Sequence, residues 1–206
     1  MARRVVLVVL LAALAAVPLA RADGDPASDY LLTRSTFVPS DLGISTADAA
    51  RLSATVEAAQ SRGYTIHVAL IGSAYDLGSV VALNRKPKQY ARFLGEELAF
   101  VYRGRVLVVM PNGLGISKDG KALPVQQRLL DRLPKPGASA PRLVQAGIDA
   151  VRALAAAAGV QVPPPRAAGA SSGGSNAFVW GLGAGAVALV LVLAGGFVVL
   201  RRRRAA

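Results

Sequence analysis

The sequence predicts an α/β protein, a three-layer α/β/α sandwich with a small central sheet, followed by one C-terminal transmembrane helix. Two observations predict the sandwich. The runs 64–71 and 105–110 are short and apolar on both faces, which is typical of strands covered on both sides. Segments with apolar residues at helical spacing alternate with these runs, and that alternation favours helices packed on a sheet.

The predicted transmembrane helix is an uncharged apolar run of 23 residues, 178–200. It spans about 34 Å as a helix, enough for a hydrocarbon core of about 30 Å. Four basic residues follow it directly: Arg201, Arg202, Arg203 and Arg204. They act as a stop-transfer signal and stay in the cytoplasm. Gly181 and Gly185 would let two such helices approach closely, which predicts a possible homodimer. The alternative is that glycine is simply common in membrane helices.

The amino terminus has the pattern of a secretory signal peptide over 1–22. Arg3 and Arg4 precede the apolar run 5–17, and Ala20-Arg21-Ala22 supplies a small-x-small cleavage site. The alternative is an uncleaved anchor. Cleavage predicts a single-pass plasma-membrane protein whose N-terminal domain, from Asp23, is extracytoplasmic and whose C-terminus is cytoplasmic.

Between these segments we expect one exported domain over 23–160 and a Pro/Gly/Ser-rich linker over 161–177, with a basic tail at 201–206 after the membrane helix. The chain has no cysteine, which excludes thiol catalysis and cysteine-held metals and is compatible with a bacterial cell envelope. Seven of the 24 basic residues lie in the terminal segments, so 17 remain against 12 acids and the domain charge is about +5. Scattered basic residues favour contact with an anionic lipid bilayer, and no nucleic acid is expected.

The elements of the domain follow in order. Residues Asp23 to Ser28 are predicted to be irregular, and residues 30–38 are predicted to be extended. A helix begins after the capping pattern at Ser45 and ends before a glycine, and the first buried strand follows. A second helix begins near Pro87 and precedes the strand 105–110. A short return strand over 114–117 and two closing helices, each begun by a proline, complete the domain.

Several stretches resemble the TPM domain, a family of exported or membrane-tethered α/β modules. The resemblance rests on the helix-opening stretch 43–52, the strand 63–70, the pair Tyr90-Ala91, the strand 104–109 and the closing stretch 143–150. Together these cover about Asp41 to Ala158. Arg103 stands where the family usually has an acidic residue.

Some TPM domains are metal-binding or phosphatase-like, with loop carboxylates as the functional groups. The resemblance implies that Asp41, Asp76 and Asp119 would carry such an activity here, with Ca²⁺ or Mg²⁺ as the metal. These carboxylates are dispersed in sequence. A metal-dependent, phosphatase-like hydrolase is therefore the alternative hypothesis, and a non-catalytic module without a cofactor is the favoured one.

The favoured hypothesis is a binding or scaffolding module for an unknown envelope protein. Its predicted surface is a cluster of loop residues: Asp76, Asn112, Gly113 and Asp119. The stretch 115–122 approaches a phosphate-binding loop, but Ala122 replaces the required Ser or Thr, so a hairpin is expected. His67, the only histidine, lies among apolar neighbours and is interpreted as a core or sheet-face residue.

Overall fold

A computed structural model describes residues 24–165 of the 206-residue chain. The predicted signal peptide, the transmembrane helix with Gly181 and Gly185, and the stop-transfer arginines lie outside the described residues, as does most of the linker. The helices are α1 (Pro26–Leu31), α2 (Thr46–Gln60), α3 (Pro87–Glu97), α4 (Pro124–Leu130) and α5 (Ala140–Ala157). The strands are β1 (Thr36–Phe37), β2 (Ile66–Leu70), β3 (Arg105–Met110), β4 (Gly113–Lys118) and β5 (Lys121–Ala122). Short 3₁₀ segments span Ser40–Leu42, Tyr75–Leu83 and Leu98–Phe100.

The strands form one mixed sheet in the order β1-β2-β3-β4-β5. The first three strands are parallel, with Val68 opposite both Thr36 and Leu107. Strands β4 and β5 continue as antiparallel hairpins. The two strands predicted to be buried, β2 and β3, are neighbours in the interior of the sheet, and the predicted α/β class is confirmed.

Two apolar cores lie on opposite faces of this sheet. The first contains Val68 and Leu107 from the strands together with residues of α2 and α5. The second contains Ala69 and Val108, the next residue of each strand, together with residues of α1 and α3. Because successive strand residues face opposite sides, β2 and β3 are apolar throughout and helices cover both faces.

The amino-terminal part of the domain differs from the prediction. Residues 26–31 form a helix, and only Thr36–Phe37 of the predicted extended segment is a strand. The side chain of Asp25 caps the helix by accepting from the backbone N–H of Ala27 at 3.3 Å. Ala27 and Leu31 are fully buried in the second core. The prediction failed because a six-residue helix has too few turns to show a 3.6-residue period.

The other helix starts agree with the capping signals. Ser45 accepts a hydrogen bond from the backbone N–H of Asp48 at 3.0 Å, and its own hydroxyl donates to the Asp48 carboxylate at 2.9 Å. Helix α3 begins at Pro87, as predicted, and ends at Glu97, so Val101 lies beyond the helix and is 65% exposed. The chain tightens into a 3₁₀ turn before it enters β3.

The stretch that approaches a phosphate-binding loop is the β4–β5 hairpin, as expected. It turns at Asp119 and Gly120, both with positive φ. Gly115 lies in β4 against the first turn of α3, and a Cβ atom there would lie 2.0 Å from the carbonyl oxygen of Pro87. This glycine therefore permits close helix–sheet packing rather than phosphate binding.

Candidate functional site

The carboxyl ends of the three parallel strands meet at one edge of the sheet, which we call the carboxyl edge. The 3₁₀ turn Ser40–Leu42 follows β1, the segment 72–76 follows β2, and Pro111–Gly113 follows β3. Three chain segments that are far apart in sequence are thereby brought to the same edge.

The chain leaves β1 and β2 toward opposite faces of the sheet. Helix α2, which connects β1 to β2, packs in the first core, whereas α3, which connects β2 to β3, packs in the second. Ligands of open α/β sheets bind where neighbouring connections diverge in this way, outside the carboxyl ends of the strands. In this chain that position lies between the segments that carry Asp41 and Asp76.

Asp41 and Asp76 are brought together at this position. Asp76 is 6% exposed and accepts hydrogen bonds from the backbone N–H groups of Gly72, at 2.7 Å, and Ser73, at 2.9 Å. Burial raises the pKa of the Asp76 carboxyl; the two backbone hydrogen bonds lower it, and the neighbouring Asp41 carboxyl raises it further. The Asp41 carboxylate is therefore close enough to Asp76 to act on it electrostatically.

Asn112 and Gly113 lie at the same edge, after β3. The side-chain amide of Asn112 donates to the backbone carbonyl of Arg85 at 2.7 Å, which ties this turn to the segment that precedes α3. Its Oδ1 atom is buried, and no partner for it occurs within residues 24–165. Asn112 and Gly113 also line a small cavity of about 90 Å³ with Lys135 and Asp131. The cavity at this edge is therefore lined by an amide, a cationic side chain and an anionic side chain.

Asp119 lies at the other edge of the sheet. It follows β4, whose last residue, Lys118, pairs with the first residue of β3, Arg105. Asp119 is thus separated from the carboxyl edge by the length of β4, about 20 Å at the usual rise per residue. The structure brings Asp76, Asn112 and Gly113 to one edge and places Asp119 apart from them.

The same separation bears on the metal hypothesis. Asp41 and Asp76 are neighbours, but Asp119, the third carboxylate of that hypothesis, is not beside them. Within the part of the chain that the structure describes, no group of three or more His, Asp or Glu side chains is placed to hold a metal ion. The two neighbouring carboxylates supply only part of the coordination that Ca²⁺ or Mg²⁺ requires.

Two polar contacts, one buried and one half-buried, were not predicted from sequence. Asp25 accepts a 2.5 Å hydrogen bond from the hydroxyl of Tyr90. Burial raises the pKa of Tyr90, and the nearby carboxylates of Asp25 and Asp76 raise it further. The ring of His67 stacks on that of Tyr102, with centroids 3.6 Å apart. Burial lowers the pKa of His67 to about 4, so it is neutral at pH 7. The sequence signals no partner for either residue, because both pairs depend on tertiary contacts.

Comparison of the chain with protein-family models, curated proteins and solved structures finds no match. Across residues 24–165, none of the helices has both the length and the apolar character needed to cross a bilayer.

Proposed function

We propose that the protein is a membrane-tethered, extracytoplasmic binding or scaffolding module of the TPM type that acts in a bacterial cell envelope without catalysis. The observation that carries the proposal is the carboxyl edge, where the loops after β1, β2 and β3 converge beside diverging connections. The partner we expect there is an envelope protein, bound through Asp76, Asn112 and Gly113.

The tethered topology is supported by the sequence at both ends. The run 178–200 with its arginine stub predicts a single pass of the plasma membrane, and 1–22 predicts export of the amino terminus. Protease added to intact cells is therefore expected to remove the folded domain and leave a small membrane fragment. A domain that survives in intact cells and is digested only after lysis would overturn this topology.

A binding role fits the way in which the Asp76 carboxylate is held. The carboxylate accepts hydrogen bonds from two backbone N–H groups and is 6% exposed. It therefore stabilises the loop 72–76 and is poorly placed to contact a substrate. The fixed loop presents Tyr75, which is 89% exposed, beside it. A rigid loop with an exposed aromatic side chain is a common anchor in protein interfaces.

The alternative is a metal-dependent, phosphatase-like hydrolase that uses Asp41, Asp76 and Asp119. The proximity of Asp41 to Asp76 favours it, because paired carboxylates bind divalent cations. The remote position of Asp119 counts against it. In this alternative Ca²⁺ or Mg²⁺ is the cofactor, whereas the favoured function needs none.

Site-specific photocrosslinking of the full-length protein in its native membrane tests the binding role. A photoreactive side chain at Asn112 is expected to capture a discrete partner, whereas the same group at Lys121, which is exposed at the opposite edge, is not. Asp76→Asn should reduce the yield at the first position. Capture from Lys121 alone, or equal capture from both positions, would contradict the proposed surface.

Metal titration separates the two functions. For the binding module, millimolar Ca²⁺ or Mg²⁺ is expected to leave the melting temperature of the protein unchanged. A metal at about 100 times its Kd would stabilise the folded state by about 2.7 kcal/mol. A stabilisation that Asp41→Asn removes and Asp119→Asn leaves unchanged would establish a two-carboxylate metal site and favour the hydrolase.

A further inference from the structure

Two neighbouring apolar side chains project from the edge of the sheet opposite the carboxyl edge, which we call the amino edge. Phe100 is 94% exposed and Val101 is 65% exposed. Both lie in the turn between α3 and β3, where the chain tightens after Glu97. Single exposed apolar residues are ordinary, but an almost fully exposed Phe beside an exposed Val forms a protruding apolar tip.

Basic side chains surround this tip. Arg103 is exposed two residues after Val101, and Lys118 and Lys121 are exposed on the β4–β5 hairpin, where Lys118 pairs with Arg105. The ion pairs within residues 24–165 are Arg51–Asp48 and Lys88–Asp131, so Arg103, Lys118 and Lys121 form no ion pair there. Basic residues at the amino edge include Arg62, Arg103, Arg105, Lys118 and Lys121. Its acidic residues include Glu57, Glu96, Glu97 and Asp119.

The exposed aromatic at the carboxyl edge has a different setting. Tyr75 is 89% exposed, but it borders a groove that also contains Asp29, and Asp76 follows it directly. The exposed Asp29 carboxylate would oppose the approach of Tyr75 to an anionic surface. Of the two apolar tips, the one at the amino edge is thus the better match to negatively charged lipid.

The tether keeps the domain near such a surface. Between the last described residue, Pro165, and the predicted membrane helix at 178 lie residues 166–177, which reach at most about 42 Å when fully extended. A domain held on a tether of this length meets the bilayer continually, because its effective concentration at the surface is high.

We propose that Phe100 and Val101 insert into the head-group region of the anionic bilayer to which the chain is tethered, with Arg103, Lys118 and Lys121 contacting lipid phosphates. This inference rests on the single-pass topology of the proposed function. Docking by the amino edge turns the carboxyl edge away from the membrane, so that Asn112, Gly113 and the loop fixed by Asp76 face a partner. The bilayer thereby orients the binding surface.

The absence of cysteine from the sequence allows a direct test with one introduced label. Full-length protein carrying Val101→Cys is labelled with nitrobenzoxadiazole and reconstituted into vesicles that contain phosphatidylglycerol. We expect blue-shifted emission and strong quenching by a spin label on the lipid acyl chains. The matched control, Tyr75→Cys, places the same label at the opposite edge and should report water. Quenching at position 75 in place of 101, or at neither, overturns the inference.

A second variant separates lipid insertion from other contacts. In the Val101→Cys background, Phe100→Ser is expected to lower the docked fraction about tenfold, which corresponds to about 1.4 kcal/mol. Neutral phosphatidylcholine vesicles or high salt should also weaken docking, since a Debye length of about 10 Å at 0.1 M salt shortens as salt rises. A signal that follows protein density and ignores lipid charge would indicate contact between copies of the chain and would overturn lipid docking.

The two proposals fail in distinguishable ways. An alkaline wash of the vesicles tests the tether itself: protein released by the wash would overturn the membrane-spanning topology and with it the proposed function. Protein that is retained, yet whose label at position 101 reports water, overturns only the orientation of the domain.

Discussion

The hydroxyl of Tyr90 donates a hydrogen bond of 2.5 Å to Oδ1 of Asp25, and this contact joins two helices across 65 residues of sequence. Tyr90 is fully buried and Asp25 is 5% exposed. Asp25 also caps α1, so one carboxylate holds both the start of the first helix and the side of α3. The residues directly after the predicted cleavage site are thereby part of the folded core.

Tyr90→Phe is expected to lower the free energy of unfolding by about 1–3 kcal/mol, because it removes the shorter of the two hydrogen bonds to the buried Asp25 carboxylate. Urea unfolding followed by circular dichroism measures the change. Tyr75→Phe is the matched control, since Tyr75 is 89% exposed and removal of its hydroxyl should change stability by less than about 0.5 kcal/mol. Equal stability of the Tyr90→Phe variant and the parent would contradict the structural role of this bond.

Asp25 predicts a fall of stability with rising pH. Burial raises its pKa from 3.8 to about 6, although the Tyr90 hydrogen bond opposes the shift. The folded protein therefore binds this proton more tightly than the unfolded chain. The resulting stabilisation is complete below about pH 4, is lost as the pH rises to about 6, and changes no further above that.

Urea unfolding between about pH 4 and pH 7 measures this effect as the stability difference between the parent and Asp25→Asn. The difference should move against the parent as the pH rises through this window. A difference that stays constant would show that Asp25 titrates normally.

His67 is expected to make stability depend on pH in the opposite direction. Burial lowers its pKa from 6.5 to about 4, so the unfolded chain takes up a proton before the folded protein does. The stabilisation is complete above about pH 6.5 and is lost as the pH falls to about 4. His67→Phe keeps an aromatic ring against Tyr102 and removes the titration, so the variant should lose less stability than the parent on acidification. Parallel pH profiles of the two proteins would refute this assignment.

Gly115→Ala is expected to destabilise the domain by about 2 kcal/mol, since the added methyl group overlaps backbone that cannot move aside. The ideal Cβ position is 2.0 Å from the carbonyl oxygen of Pro87. Gly113→Ala is the control in the same strand, because its nearest neighbour, a side-chain carbon of Pro87, is 3.8 Å away. The ratio of the two effects in thermal or urea unfolding tests how tightly α3 packs on β4. Equal effects would mean that this packing is looser than described.

Local patterning was sufficient for much of the fold. The strand β3 was predicted at its observed bounds, and the helix starts at Ser45 and Pro87 followed from capping and from proline at the first turn. These features succeed because capping and strand burial depend on residues that are adjacent in sequence. Helix α1 was missed because its stability comes from the Tyr90 contact and the second core, not from its own six residues.

The candidate site was likewise predicted in part. Asp76, Asn112 and Gly113 follow parallel strands, and recognising those strands was enough to place them at one edge. Asp119 was grouped with them, yet it lies at the other edge because β4 runs antiparallel to β3. The return strand predicted over 114–117 already implied this separation, because a hairpin carries the chain back along the strand that precedes it.

Residue types and their spacing therefore determine the order of the elements, the buried strands and the apolar terminal segments, since each of these depends on neighbours in the chain. Only the tertiary structure decides that Asp41 meets Asp76, that Tyr90 meets Asp25, and that Phe100 stays exposed. The reason is physical: these relationships arise when separate elements pack together and bury a shared surface, and a free energy of that kind belongs to no single segment.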